Sequence, residues 1–377
     1  MSRIITALTG VVLAVALLPG SASGNTAHRS EPTIEVIATG LDNPRGLTVH
    51  NGAVYVAESG NAGATCAGTL CFGTTGYVTR IRNGSQERII NGLPSKGAVD
   101  GTTGGANDVA IGPWGQVLVP FDLGGAAAAT GTVPYGYRFG TVERVWPAAR
   151  QIGDLRAWET ANDPDSVDPS TSGIESNPFS VATTWYGTTV VSDAAANDLI
   201  KISPNGELST LALFPSQCVA AIPNGPPGHP ACPAGQIRQQ SVPTGVAIGP
   251  DGAFYVGEMT GFPFTLGTAR IWRITRDGQM SVVATGLTTV IDIAFDRRGR
   301  LYALQYKKGG FFSPDLTGSL VRVGRDGTLT TVLDTGLVSP TGLAFGRDGA
   351  AYIAHRGVPN AQAGVAAHTG EVLKVRF

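Results

Sequence analysis

The sequence predicts an all-β protein: a β-propeller of six four-stranded antiparallel blades, closed into a ring by an N-terminal strand that completes the last blade. Three observations predict it. One phrase, an apolar run, a turn ending in glycine and a second apolar run, is written six times along the chain. The 377 residues include 52 glycines and 24 prolines, too many for a helical protein and spread between alternating segments rather than gathered into one low-complexity tract. The N-terminal stretch TIEVIATGL repeats MSVVATGL, a fourth strand far along the chain, almost letter for letter.

Taken in order, the chain opens with Arg3, an apolar run from Ile4 to Leu18 and the small residues of GSASGN. This is the pattern of a secretory signal peptide, residues 1–24, too short to span a membrane comfortably and followed by no stop-transfer flank. Residues 25–377 are expected to form one exported domain with no membrane span after cleavage. The strand at Thr33 to Leu41 comes next. The six units then follow, each a first strand, a glycine turn, a second strand and a third: PRGLTVHNG, AVYVAESG, YVTRIRNG; ANDVAIGPWG, QVLVPFDLGG, TVERVW; PFSVATTWYG, TTVVSDAAA, LIKISPNG; PTGVAIGPDG, AFYVGEMTG, RIWRITRDG; VIDIAFDRRG, RLYALQYKKGG, SLVRVGRDG; PTGLAFGRDG, AAYIAHRG, EVLKVRF. Fourth strands such as LTTVLDTGL close the first five units, and the sixth stops at Phe377 without one. An N-terminal strand that matches the missing one zips the ring shut and protects its sheet edges, which an open solenoid would not need.

Charge narrows the partners. Lys and Arg total 27 against 28 Asp and Glu, a net charge of −1 with no basic run, so there is no footprint for nucleic acid or anionic lipid. A small molecule or another exported protein fits better. The four cysteines fall into two local pairs, Cys66 with Cys71 and Cys218 with Cys232, and in an exported chain two loop bridges are the simplest of the three pairings. Neither pair has C-x-x-C spacing and only His229 lies among them, which argues against zinc.

The turn glycines, Gly52, Gly115, Gly187, Gly252, Gly299 and Gly349, lie further apart than the about 40 to 45 residues of a compact blade. The extra length falls after second or fourth strands, connections that emerge on one face of an antiparallel meander, so the inserts 59–76, 94–106, 124–140, 160–176, 215–242 and 356–370 are expected to crowd a single, binding face. Two rings of side chains point toward that rim. Glu58, Asp122, Asp193, Glu258, Gln305 and His355 end the second strands and form the candidate ligand-binding set. At the start of the innermost strands stand Asp108 and Asp292, with Asn43, Asn107 and Asn177 nearby, an oxygen-rich set suited to a hard cation such as Ca²⁺. The competing expectation is that these groups cap strand ends and bind loop amides. The segment ANDPDSVDPSTSGIESNPF carries Asp163, Asp165, Asp168 and Glu175 but lacks the glycine and register of an EF-hand, and reads as a solvated acidic loop. There is no G-x-S-x-G, no H-E-x-x-H and no phosphate-cradling loop, and no catalytic residue is assigned.

GLDNPRGLTVHNGAVYVAESG, ANDPDS followed by SNPF, VPTGVAIGPDGAFYVGEMTGFPF and PTGLAFGRDGAAYIAHRG, in that order, resemble the ScyD/ScyE family, exported bacterial propellers related to NHL-repeat proteins. The resemblance covers nearly the whole mature chain and implies export and the propeller fold, with no catalytic residues to carry over. Two functions stand. One is a noncatalytic binding or scaffold protein using the insert-rich face. The other is an enzyme, a Ca²⁺-dependent lactonase-like hydrolase or a quinone-dependent sugar dehydrogenase.

Overall fold

The six turn glycines on which the repeat is aligned all adopt the left-handed conformation, with φ of 75°, 79°, 92°, 73°, 71° and 79° from Gly52 to Gly349. A side chain is disfavoured there, which is why the phrase keeps its glycine. In the computed structural model, described for residues 31–98, 102–124, 130–133, 135–168, 173–222, 225, 231–358 and 368–377, each phrase builds the inner hairpin of one antiparallel blade. From the axis outward, blade 1 contains Pro44–His50, Ala53–Glu58, Leu70–Arg82 and Ser85–Ala98. Blade 2 contains Ala110–Ile111, Val117–Pro120, Thr141–Trp146 and Arg150–Asp154, and blade 3 Pro178–Thr183, Thr189–Asp193, Asp198–Ile202 and Leu208–Leu213. Blade 4 contains Pro243–Ile248, Phe254–Glu258, Ala269–Ile274 and Met280–Leu287, and blade 5 Val290–Phe295, Leu301–Gln305, Ser319–Val323 and Leu329–Leu333. Blade 6 contains Gly342–Phe345, Ala351–His355 and Gly370–Arg376, and its outermost strand is Thr33–Leu41. Thr33 lies opposite Arg376 and Leu41 opposite Gly370, so the N-terminal strand closes the ring as expected.

Both faces of a blade pack on neighbours, and the core is accordingly divided among the blade interfaces. Val190, Leu199, Val246 and Phe254 fill the gap between blades 3 and 4, for example, and Leu47, Val56, Ala354 and Val372 the gap between blades 6 and 1. Hydrogen bonds tie the same seams. Thr244 Oγ1 donates to the carbonyl of Val290 at 2.7 Å, joining blade 4 to blade 5, and Thr341 Oγ1 donates to the carbonyl of Pro44 at 2.7 Å, joining blade 6 to blade 1.

Cys66 and Cys71 form one disulfide and Cys218 and Cys232 the other, as the local pairing predicts. The inserts hold more structure than the sequence suggests. In blade 1 a short strand, Thr65–Ala67, pairs with the start of Leu70–Arg82, and the outer hairpin extends along Leu70–Gly73 against Ser95–Ala98. Between blades 2 and 3 lies a helix, α1 (Leu155–Asn162), whose N-cap Asp154 accepts the N–H of Ala157, followed by a 3-10 turn at Pro164–Val167. The proposed signal peptide lies outside the described residues. Among the described residues no helix is long and apolar enough to cross a membrane.

Candidate functional site

The innermost strands of all six blades line an axial cavity of about 300 Å³. Asp108 of blade 2 and Asp292 of blade 5, opposite blades of the ring, both face it. Each also stitches its blade to the next. Asp108 accepts from the Ser180 hydroxyl at 2.7 Å and from the N–H of Val181 at 2.9 Å and Val109 at 2.7 Å, while Asp292 accepts from the N–H of Leu343 at 2.6 Å and Ile293 at 2.8 Å. Burial raises the Asp108 carboxyl to about 6 against the pull of those donors. Burial and the charge of Asp108 hold Asp292 well above the usual carboxylate range.

The three asparagines associated with these acids in the sequence are engaged with loops. Asn43 Nδ2 donates to the carbonyl of Gly60 at 2.8 Å, Asn107 Nδ2 to that of Pro178 at 3.0 Å, and Asn177 Oδ1 accepts the N–H of Leu123 at 3.2 Å. The second-strand ring is likewise turned into the connections that enter its own blades. Glu58 accepts the N–H of Asp42 at 2.6 Å, Gln305 that of Thr288 at 2.6 Å, and Asp193 those of Asn177, Ala195 and Ala196. Glu258 binds Ser241, Arg270 and the indole N–H of Trp272. His355 accepts the N–H of Val338 on Nε2 at 2.7 Å, which leaves the proton on Nδ1 for Glu371 at 2.9 Å. Burial lowers its pKa despite that carboxylate, and both ring nitrogens are occupied. Asp122 differs. It pairs with Lys96 at 3.1 Å, beside Arg45, whose pKa burial pulls below the ordinary value while Asp122 opposes the shift. Arg45 Nη2 donates to the carbonyl of Thr103 at 2.6 Å. Sequence reading missed Arg45 and Lys96 because each interrupts the repeat in one blade alone.

Two further clusters stand on the insert-rich face. The first is aromatic and joins the second-to-third-strand connections of blades 4 and 5. Phe264 stacks on Phe311 at 4.3 Å between centroids, and Phe312 meets both edge-on, at 5.1 Å from Phe264 and 5.6 Å from Phe311. Phe262 stands edge-on to Phe264 at 6.4 Å. Much of this surface is bare: Phe312 is 69% exposed, Phe262 44% and Phe311 38%. The Lys307 ammonium holds the blade 5 loop by donating to the carbonyls of Phe311 and Ser313, both at 3.1 Å. GEMTGFPF supplies two of the rings, but the pairing with FF of the next blade is a product of the fold.

The second cluster departs in part from the expected solvated acidic loop: Glu175 is exposed and Asp163 and Asp168 are half-buried, but Asp165 is buried. Glu159, on the last turns of α1, and Asp165, in the 3-10 turn, are buried, and their carboxylates gather with that of Asp163. Burial first, then the charges of Asp165, Asp193 and Asp163, raise Glu159 to about 8. Burial likewise raises Asp165 to about 6, against a hydrogen bond from Asn197. Burial and the charges of Asp193, Glu159 and Asp165 keep Asp198 well above the carboxylate range. The helix that carries Glu159 over Asp163 and Asp165 was the unread signal: Asp154 caps it, and Pro164 ends it.

No protein-family model matches the chain, and no curated protein matches it. Solved structures are similar over nearly its full length. They include a glucose dehydrogenase (TM-score 0.55, 14% identity, covering 92% of this chain and 99% of that one) and the soluble aldose sugar dehydrogenase of Escherichia coli (0.54, 15%, 92% and 99%). A gluconolactonase of Xanthomonas campestris is similar too (0.52, 11%, 91% and 89%). At such identities the likeness shows the shared six-bladed propeller fold alone.

Proposed function

We propose that the chain is an exported, ScyD/ScyE-like binding propeller that holds a planar apolar small molecule on its insert-rich face. The observation that carries this reading is the half-bare cluster of Phe262, Phe264, Phe311 and Phe312. Large apolar groups left in water on a soluble surface mark a binding site when they are contiguous. Stacked and edge-on rings offer a flat guest the same offset and T-shaped contacts they make with each other. The bare parts of these rings, 69% of Phe312, 44% of Phe262 and 38% of Phe311, come to a few hundred Å² at roughly 150–250 Å² for a whole ring, short of the roughly 800 Å² per partner of a protein interface. A single small guest suits them better. Export rests on the N-terminal signal pattern and on the two disulfides.

The test is a titration of the purified protein with 1-anilinonaphthalene-8-sulfonate, indole and 2-naphthol, comparing the wild type with Phe311→Ala and Phe312→Ala. Saturable binding that weakens at least tenfold in either variant supports the reading. Failure of all three probes to bind, or binding indifferent to both substitutions, removes it.

A second reading, a cation-assisted lactonase-like hydrolase or quinone-dependent sugar dehydrogenase, draws support from Asp108 and Asp292 facing one axial cavity. Those two carboxylates would hold the ion, Ca²⁺ by ligand class, with water completing its shell. Turnover of a sugar lactone, or dye-linked oxidation of an aldose, that is lost in Asp108→Asn/Asp292→Asn would favour it over the binding reading.

A further inference from the structure

We infer that Glu159, Asp163 and Asp165, on the insert between blades 2 and 3, are the carboxylate ligands of a site for a hard divalent cation, Ca²⁺ by size and ligand class. One oxygen from each of the three lies within 4.8 Å of the others. Ca²⁺ binds oxygen at 2.3–2.6 Å, so oxygens sharing one ion stand at most about 5 Å apart. The cluster meets that limit.

A gathering of acids alone would mean little, since such groups are common on solvated loops. Here the decisive group is Glu159. It is 2% exposed, and neither of its carboxylate oxygens has a hydrogen-bond partner. An ionised carboxylate out of water with no partner costs several kcal/mol or more, so a group placed this way holds either a proton or a counter-ion. Protein cations do not supply one: among the described residues, no lysine, arginine or histidine forms an ion pair with Glu159, and Arg238, which lines the same cavity as Asp165, is bonded to Asp168 at 2.6 Å. Asp198, fully buried beside the cluster, brings a further acid and no cation.

The local backbone points the same way. Glu159 and Asp163 stand at the C-terminal end of α1, where the carbonyls of the last turn already concentrate partial negative charge, so acids there are misplaced and a cation is favoured. A cavity of about 190 Å³, lined by Asp168, Asn197 and Arg238 among others, reaches one member of the cluster, Asp165. Asn197 Nδ2 donates to Asp165 Oδ2 at 2.8 Å, so an ion held by the insert would also fasten it to the turn between the second and third strands of blade 3.

The experiment uses the full purified chain, stripped with a chelating resin and titrated with CaCl₂ alone by calorimetry. One Ca²⁺ per chain is expected at this site, with melting lowered by EDTA and restored by Ca²⁺. Asp163→Asn, at a part-exposed position that leaves the buried groups in place, should weaken binding at least tenfold, whereas Asp108→Asn/Asp292→Asn should retain it. Tb³⁺ in place of Ca²⁺ should luminesce on excitation of the neighbouring Trp158 and lose that signal in Trp158→Phe. No Ca²⁺ uptake by the stripped wild type, full affinity in Asp163→Asn, or Tb³⁺ luminescence indifferent to Trp158 would each overturn the assignment. Since the aromatic probes bind elsewhere on the face, their result leaves this one unaffected.

Discussion

Asp108 and Asp292 occupy one strand position in opposite blades, yet one side chain of the following blade separates their chemistry. Asp108 meets the hydroxyl of Ser180, whereas Gly342 stands at the equivalent place before Asp292 and offers none. Asp108 therefore keeps an extra donor and a value near about 6, against 3.8 for a free aspartate. A carboxyl whose folded pKa exceeds its unfolded one holds more proton in the native state, so its contribution is fully present below pH 3.8 and is lost as the pH rises through about 6. That loss is on the order of 3 kcal/mol. Asp108→Asn removes the charge and keeps the shape, so in EDTA the variant should gain a few degrees on the wild type between pH 4 and pH 7.5. Calorimetric melting at pH 4, 5, 6 and 7.5 measures it, and a constant difference across that range would mean that Asp108 titrates normally. These two acids were legible because they recur at one register of a repeat. Glu159 was not, because it belongs to no repeat and its burial depends on a helix laid over blade 3 from outside.

The strand Thr33–Leu41 was legible from the letters it shares with Met280–Leu287. Gly40 and Gly286 precede Leu41 and Leu287, both glycines are left-handed, with φ of 69° and 84°, and both leucines are fully buried. The shared letters ATGL thus accompany a turn of the backbone that drives a leucine inward, and both strands that carry them are the outermost of their blades. Deleting residues 33–41 would bare the edge of Gly370–Arg376, and the expected outcome is aggregation or a collapse of the melting temperature. The milder Leu41→Ala should cost about 2–5 kcal/mol by urea denaturation, as other buried leucines do; wild-type stability for either change would mean that the ring closes without this strand. The strand extensions of blade 1 were illegible for the opposite reason. LCFGTTG and LPSKGA pair with each other beyond the blade body, between loops rather than between blades, so no apolar alternation marks them as strands.

At the scale of the ring, glycines of the inner strands stand directly against the next blade at the level of the axial acids, as spacers between blades. A Cβ on Gly46 would strike chiefly the Asp108 side chain, with Asp108 Cγ at 2.5 Å and Cα at 2.9 Å. A Cβ on Gly245 would strike the Asp292 carboxyl oxygen as well, but also two backbone atoms, Asp292 Cα at 2.5 Å and Ile293 N at 2.8 Å. Blade 5 can withdraw from the second only by opening a seam that buries Val290, Ile293 and Ile271. Overpacking of this kind costs about 1–3 kcal/mol where side chains can yield, and more where they cannot. Gly245→Ala is therefore expected to lose more than about 3 kcal/mol, and trimming the facing acid in Gly245→Ala/Asp292→Ala should recover little of it. Gly46→Ala should be milder, and Gly46→Ala/Asp108→Ala should recover part of its loss, because there the obstruction is mainly the carboxyl. Urea denaturation of the four variants and the two single aspartate changes gives both coupling energies. Equal rescue at the two seams, or a Gly245→Ala protein as stable as the wild type, would show that the blades have slack at the axis and that the glycines there are not spacers.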